Sequence, residues 1–329
     1  MSSLQRNSWQ VLVFAKNKAE LTVRHCADSE AKGSFRAFFS FTLVHLGMNS
    51  PTELRLLDAF LVEPETLLAT FKDLDGLIID ARSPEAYAAG HIPGAVSVST
   101  YDYFVPNTTP QGMNAFAADI ANLYGAAGIS LDTPLVVYDD DTSMRVAREC
   151  WLLEYLGHRN VRLLHGGFTA WQRCGGLVST SPHHATPKVF EITLSDTGFI
   201  SADQITAELN HPRRVMIDVR DEAEHDGLDH TACCERRGHV PGSVWVHWSE
   251  FLERGRFKSG EAIRALLQSR GIRDDDELAP YCHRGARSAN TYWALRLAGY
   301  PQVRNYIGSW HEWSARSELP LERGHRQSR

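Results

Sequence analysis

The chain has 329 residues, 43% of them hydrophobic and 22% charged, and a formal net charge of −6. A length of this order suggests two globular domains, and the acidic balance without any dense basic run excludes a nucleic-acid-binding chain. No apolar run reaches the ~20 residues that cross a bilayer, and six scattered cysteines (Cys26, Cys150, Cys174, Cys233, Cys234, Cys282) form no disulfide framework, which predicts a reducing, cytoplasmic setting.

The first 47 residues carry six Lys or Arg and three Asp or Glu, with no sustained helical or strand period. Phe38 to Leu46 is their one apolar patch, too short to span a membrane and too far in for a signal sequence. Residues 1–48 therefore read as a poorly ordered, dispensable extension, either a tail or a segment upstream of a start at Met48.

From there the chain is one unit written twice. Leu77–Ser99 recurs as Val215–Trp248, with an insertion before the second Gly-His; Leu135–His158 recurs as Leu278–Tyr300; Val161–Trp171 recurs as Val303–Trp313. The offset stays close to the 142 residues that separate Val161 from Val303. Two domains follow, at 49–178 and 192–322, with a linker at 179–191 and a tail at 323–329. The linker region holds Ser, Thr, Pro and the pair His183 and His184, and reads as solvated surface chain.

Within the first unit, short apolar runs at Leu77–Asp80, Leu135–Tyr138 and Val161–Leu164 predict strands, and Ala147–Leu156 predicts a helix. The second unit repeats the pattern with strands at Val215–Asp218, Glu277–Tyr281 and Val303–Tyr306 and helices at Ala262–Leu267 and Ala289–Ala298. Strands separated by helical crossovers give an α/β fold, each unit a mostly parallel sheet flanked by helices. Sites in such sheets lie at the carboxyl ends of the strands.

Cys282-His283-Arg284-Gly285-Ala286-Arg287-Ser288 falls at such an end, between a strand and a helix. Inward amides, a helix N-terminus and adjacent cations all favour thiolate, so Cys282 reads as a nucleophile whose surroundings suit an anionic, sulfur-containing substrate. The first unit aligns Asp139 with Cys282 and has no cysteine in the loop, so that unit reads as catalytically dead, a buttress for the second.

Asp-x-Arg followed by Gly-His-(Ile/Val)-Pro-Gly, the Cys-His-Arg-Gly-Ala-Arg loop, and Gly-x-(Trp/Phe)-x-x-Trp closing each repeat together resemble the tandem-domain rhodanese family of sulfurtransferases, over residues 50 to 320. The resemblance implies a ping-pong transfer from thiosulfate to cyanide or a thiol through a Cys282 persulfide. It implies no cofactor. Arg284 is expected to bind the sulfonate end, with the loop backbone at Gly285 and Ala286 holding the sulfur. Arg287 either faces substrate or anchors the loop to a carboxylate, and His283 is either a positioned cation or an exposed loop residue. Relatives specialised for mercaptopyruvate have a small, nearly uncharged loop, so the cations here favour thiosulfate. Some relatives also place an arginine where this chain has Glu224; Arg236 or Arg237 is the candidate substitute. The alternatives are mercaptopyruvate as donor, or a persulfide carrier with little turnover of its own. A phosphatase on this fold would need its arginine one residue later, at the position of Ser288.

The pairs Asp218–Arg220 and Asp80–Arg82 occur in both units, which makes them structural supports, as are His239 with its twin His91, and Trp310 and Trp313 with twins Phe168 and Trp171. Cys233 and Cys234 sit in the insertion Glu224–Arg237. No metal is expected there, because a vicinal pair matches no Cys-x-x-Cys knuckle and does not easily supply two ligands to one tetrahedral ion. A sulfur-relay or redox role is the alternative. The expected partners are small donors and acceptors, with a protein thiol as a further acceptor, and a monomer is the default.

Overall fold

The computed structural model describes residues 60–229 and 231–324, together with the backbone of two short strands, β1 (Leu12–Ala15) and β2 (Leu21–Arg24). These two pair antiparallel within the segment read as an extension. The rest of that segment, with Cys26 and the 38–46 patch, lies outside the described residues, as do His230 and the chain end from 325.

The first repeat runs β3 (Leu61–Val62), α1 (Pro64–Thr70), β4 (Leu77–Asp80), α2 (Pro84–Ala89), β5 (Val96–Ser97), α3 (Pro110–Ala126), β6 (Leu135–Tyr138), α4 (Met144–Tyr155), β7 (Val161–Leu164) and α5 (Gly167–Arg173). Its five strands form a parallel sheet in the order β3-β7-β6-β4-β5. β6 is buried along its whole length, as a central parallel strand must be.

The second repeat runs α6 (Ala202–Ala207), β8 (Arg214–Asp218), α7 (Glu222–His225), β9 (Val244–Trp245), the hairpin β10 (Leu252–Glu253) and β11 (Arg256–Phe257), α8 (Gly260–Ser269), β12 (Glu277–Tyr281), α9 (Ala286–Leu297) and α10 (Ser309–Ala315). Its parallel sheet has the order β12-β8-β9.

The expected strand at Val303–Tyr306 is reduced to bridges, Val303 to Leu278 and Asn305 to Phe199. Pro280 explains the loss. The Leu278 amide donates to Gln302 O, and the Arg304 and Tyr306 amides donate to the carbonyls of Leu278 and Pro280. The remaining rung needs a donor at residue 280, where proline has no N–H. The segment lies where a strand would lie, one hydrogen bond short.

α4 is buried from Val146 through Leu153, the charged Arg148 and Glu149 included. Such a helix needs a cover on its outer face. α9 supplies it, itself buried from Ser288 to Leu295. Across this junction Trp293 Nε1 donates to Ala147 O at 3.1 Å and its ring stacks on Phe60 at 3.9 Å. Asn290 Nδ2 donates to Thr142 O at 3.1 Å, and Tyr292 donates to Glu154 at 2.7 Å. One apolar core therefore runs through both repeats. The linker is pinned on the first repeat, with Ser179 N on His91 O and Lys188 N on Gly125 O, while His183 and His184 are exposed.

Trp293→Ala is expected to cost about 3–5 kcal/mol in urea unfolding, the range for deleting a large buried aromatic. A loss under about 1 kcal/mol would mean that the repeats do not depend on this contact.

Candidate functional site

Asp218 ends β8 and is fully buried. Arg220 meets it bidentately, Nε to Oδ1 at 2.9 Å and NH2 to Oδ2 at 2.6 Å, and also reaches Gly238 O at 2.8 Å. Tyr281, the residue before Cys282, donates to Asp218 at 2.9 Å. Burial alone would raise the Asp218 carboxyl, but Arg220 and His225 hold it well below the usual range. The first repeat repeats the set: Arg82 pairs with Asp80 at 2.6 Å, reaches Gly90 O, and Tyr138 donates to Asp80. Both pairs are thus supports beneath the loop. His239 and His91 have the same job, each with Nδ1 at 2.8 Å from a backbone carbonyl. Trp313 and Trp171 are fully buried, and Trp310 lies under the Arg220 guanidinium at 4.7 Å.

On this base the chain leaves β12 and turns through Gly285 at φ 85°. A Cβ there would lie 2.7 Å from Ile307 O, so the turn is reserved for glycine. The Gly285 amide donates to Cys282 Sγ at 3.1 Å. Cys282 is buried. Burial pushes its thiol up, but the Arg287 charge and the Ser288 and Arg284 amides outweigh it, and the net shift is downward. Ser309 completes the support: its hydroxyl accepts from the Cys282 amide at 3.1 Å and donates to Tyr306 O at 2.8 Å. Ser309 holds a φ of 54°, strained for a non-glycine residue, where its twin in the first repeat is Gly167.

Arg287 lines the cleft and is anchored at the same time. NH1 lies 3.0 Å from Glu224 and 3.3 Å from Asp221, and its charge still acts on Cys282. Glu224 therefore does not leave a gap; it seats Arg287. Arg284 lines the cleft with its guanidinium 4.4 Å over the Phe104 ring. Ala286 lines it beside Cys282. Burial and the nearby Arg284 and His311, with Arg287 and Arg220 behind them, push His283 down to about 4. His283 lines the cleft, and its Nε2 meets the insertion, 3.2 Å from Cys233 Sγ and 3.4 Å from Cys234 Sγ. The fold brings His283 and His311, from outside the insertion, to Cys233 and Cys234, so the vicinal pair does not stand by itself.

Neither candidate for a second cation serves. Arg236 is spent on the carbonyls of Arg316 and Leu319, and neither it nor Arg237 lines the cleft. The extra cation is Arg148, on α4 of the first repeat. It is buried, feels the charge of Cys282, and bonds to Tyr101 O at 3.1 Å and to Tyr103 O. Its Nε has no protein partner. Glu149 beside it fixes the same loop through the Thr100 amide at 2.7 Å. The signal in the sequence was a charged Arg-Glu pair amid the apolar run of α4, on the repeat read as a mere buttress. The cleft encloses about 490 Å³.

In the first repeat Asp139 stands where Cys282 would be, buried, with its carboxyl pushed up by burial and bonded to Ser143. The β10–β11 hairpin covers that loop, with Thr142 N on Gly255 O.

The rhodanese-like domain matches this chain twice, over residues 63–174 and 201–316. The chain belongs to the rhodanese family. It is similar to a thiosulfate sulfurtransferase of Pseudomonas aeruginosa, 29% identical over 79% of this chain and 96% of the relative. It is as similar to a 3-mercaptopyruvate sulfurtransferase of Escherichia coli, 30% identical over 74% and 91%, and to the sulfur carrier protein TtuD of Thermus thermophilus, 31% identical over 72% and 87%. Among solved structures, wild-type EanB superposes with a TM-score of 0.71 at 22% identity over 82% of this chain and 70% of that one, and YnjE with 0.68 at 24% over 81% and 69%, which is a likeness of fold. This rhodanese is a sulfurtransferase by family, with two rhodanese domains. No helix among its described residues is long and apolar enough to cross a membrane.

Replacing Arg220 by Met strands a buried carboxylate and is expected to cost about 3–5 kcal/mol at pH 7. Because the folded value of Asp218 is depressed, its contribution is present above about pH 3.9 and is lost as pH falls through the folded value. The stability gap between wild type and variant should therefore narrow below about pH 4; a gap constant from pH 7 to pH 3 would contradict the assignment.

Proposed function

We propose that the chain moves sulfane sulfur from thiosulfate to a thiophilic acceptor by a ping-pong route through Cys282. The observation that carries this reading is the buried Cys282 thiol, lowered on balance by Arg287 and loop amides, with the Gly285 amide 3.1 Å from its sulfur.

In the first half-reaction the Cys282 thiolate attacks the outer sulfur of thiosulfate. The new bond joins Cys282 Sγ to that sulfur, the sulfur–sulfur bond to the sulfonate breaks, and sulfite leaves with the electron pair. The loop amides then face an anionic persulfide sulfur, as an oxyanion hole faces its oxygen. In the second half-reaction cyanide or a thiolate takes the terminal sulfur and Cys282 leaves as thiolate. No electrons are gained or lost overall.

Thiosulfate is favoured over mercaptopyruvate by charge. Arg284 and Arg148 face the cleft from opposite repeats, and Arg148 Nε is buried without a protein partner, a donor left for an anion. At about 490 Å³ the cleft exceeds what a small anion needs, counting roughly 30 Å³ per water, which leaves room for a thiol acceptor larger than cyanide. We take the acceptor to be a small or protein thiol, the chain to act as a monomer, and its setting to be the reducing cytoplasm.

Thiocyanate production should be faster from thiosulfate than from 3-mercaptopyruvate and should vanish in Cys282→Ser. Preference for mercaptopyruvate would overturn the donor, and no turnover with a folded protein would favour the carrier reading. Arg148→Met should lower kcat/KM for thiosulfate about 10- to 100-fold, the worth of one charged hydrogen bond, while leaving Cys282 alkylation by neutral iodoacetamide measurable. An unchanged kcat/KM would remove Arg148 from the site.

A further inference from the structure

The insertion that separates the second repeat from the first folds back onto the catalytic loop. Cys234 N donates to Thr231 O at 2.8 Å, a turn that presents Cys233 and Cys234 side by side. Their sulfurs are 3.5 Å apart. His283 Nε2 lies 3.2 Å from Cys233 Sγ and 3.4 Å from Cys234 Sγ, and His311 Nδ1 lies 3.7 Å from Cys233 Sγ. All four ligand atoms fall within 4.8 Å of one another. The two histidines are themselves held together by the backbone, since the His311 amide donates to His283 O at 3.0 Å.

Four of the six spacings are close to the edges of a coordination tetrahedron, and the other two lie within 4.8 Å. With Zn–S near 2.3 Å and Zn–N near 2.0–2.1 Å, tetrahedral geometry places sulfurs about 3.8 Å apart and sulfur from nitrogen about 3.6 Å apart. The observed values differ by a few tenths of an ångström. Two thiolates and two imidazoles make a donor set that selects zinc over the hard cations, which take oxygen.

We propose that Cys233, Cys234, His283 and His311 form a tetrahedral Zn²⁺ site that clamps the insertion to the catalytic loop and α10. Binding releases the two thiol protons to solvent and leaves a neutral Zn(Cys)₂(His)₂ unit. Four protein ligands close the shell, so the site is structural and leaves no position for water. Arg284 NH2, 3.5 Å from Cys233 Sγ, and the Ser314 hydroxyl beside Cys234 donate to the coordinated sulfurs. Cys282 is outside the set, since its sulfur points into the loop at the Gly285 amide.

The test uses the full-length chain, reduced, stripped with a chelator and titrated with Co²⁺. One equivalent should bind, with thiolate-to-cobalt charge transfer and the intense visible bands of a tetrahedral ion, and Zn²⁺ should bleach them stoichiometrically. Cys282→Ser should give the same spectrum, which keeps this result separate from the sulfur-transfer reading. The double variant Cys233→Ser, Cys234→Ser should show no charge transfer, and His311→Asn should weaken binding at least about tenfold, each with an unchanged far-ultraviolet circular dichroism. A pale, octahedral-type spectrum in wild type, full binding in the double variant, or loss of the bands in Cys282→Ser would each overturn the site.

Discussion

The Cys282 loop stands on a buried ion pair. Moving a carboxylate and a guanidinium out of water costs on the order of 20 kcal/mol per ion in the Born limit, and only near-ideal geometry offsets it. Asp218 and Arg220 meet that requirement with two parallel hydrogen bonds, while Tyr281 and Gly238 take up remaining positions. The pair joins three parts of the chain that function needs in register. They are the end of β8, the end of β12 one residue before Cys282, and the Gly-His-Val-Pro-Gly turn where the insertion ends. A pair of this kind adds little net stability over apolar packing, yet any error in its position strands a charge. It therefore specifies where the strand ends meet rather than how strongly they hold.

The same support exists in the first repeat, with Asp80, Arg82, Tyr138 and Gly90. What differs is what stands on it. Asp139 in place of a cysteine turns inward to Ser143, and the β10–β11 hairpin of the second repeat closes over the loop. The converse cover, Tyr101 to Tyr103 of the first repeat, stops short of sealing the second loop and leaves a cleft there. The repeats thus cap each other unequally. Arg148 belongs to this exchange. It is fastened by the carbonyls of its own repeat and yet lines the cleft beside Cys282 of the other, so the first repeat supplies charge as well as bulk.

Features set by short stretches of chain were legible in the sequence. Leu77–Asp80, Leu135–Tyr138, Val161–Leu164 and Glu277–Tyr281 fall where their apolar runs predict. Cys282 lies at a strand end because strand, glycine turn and helix are contiguous. The Asp-x-Arg pairs were readable because the repeat supplied an internal comparison. What escaped depended on contacts across the chain. Pro280 reads as part of an apolar run, and its missing donor matters only to a neighbour more than twenty residues on. Arg148 acts across the repeat junction. His311 sits inside an aromatic motif whose tryptophans are core, and only the α10 start beside the catalytic loop brings it to His283. Ser309 passes for an ordinary turn residue until its φ is known.

Cys282 and His283 are adjacent and line one cleft, yet their partners differ: the Cys282 sulfur meets the Gly285 amide and His283 Nε2 meets the insertion thiols. Cys282 points into a ring of amides that can release it to a substrate. His283 meets thiols that a metal would hold in a closed shell. A free thiol pair beside a persulfide would compete for its outer sulfur, because transfer between thiolates is fast when the attacking sulfur is ionised and accessible. Coordination of Cys233 and Cys234 would remove that competition and hold the backbone of the Cys282 loop from its outer side, while the Asp218–Arg220 pair fixes it from below. Arg284 has one edge toward Cys233 Sγ and its face on Phe104. That arrangement restrains a long, mobile cation at the mouth of the cleft and reduces the entropy lost when an anion arrives.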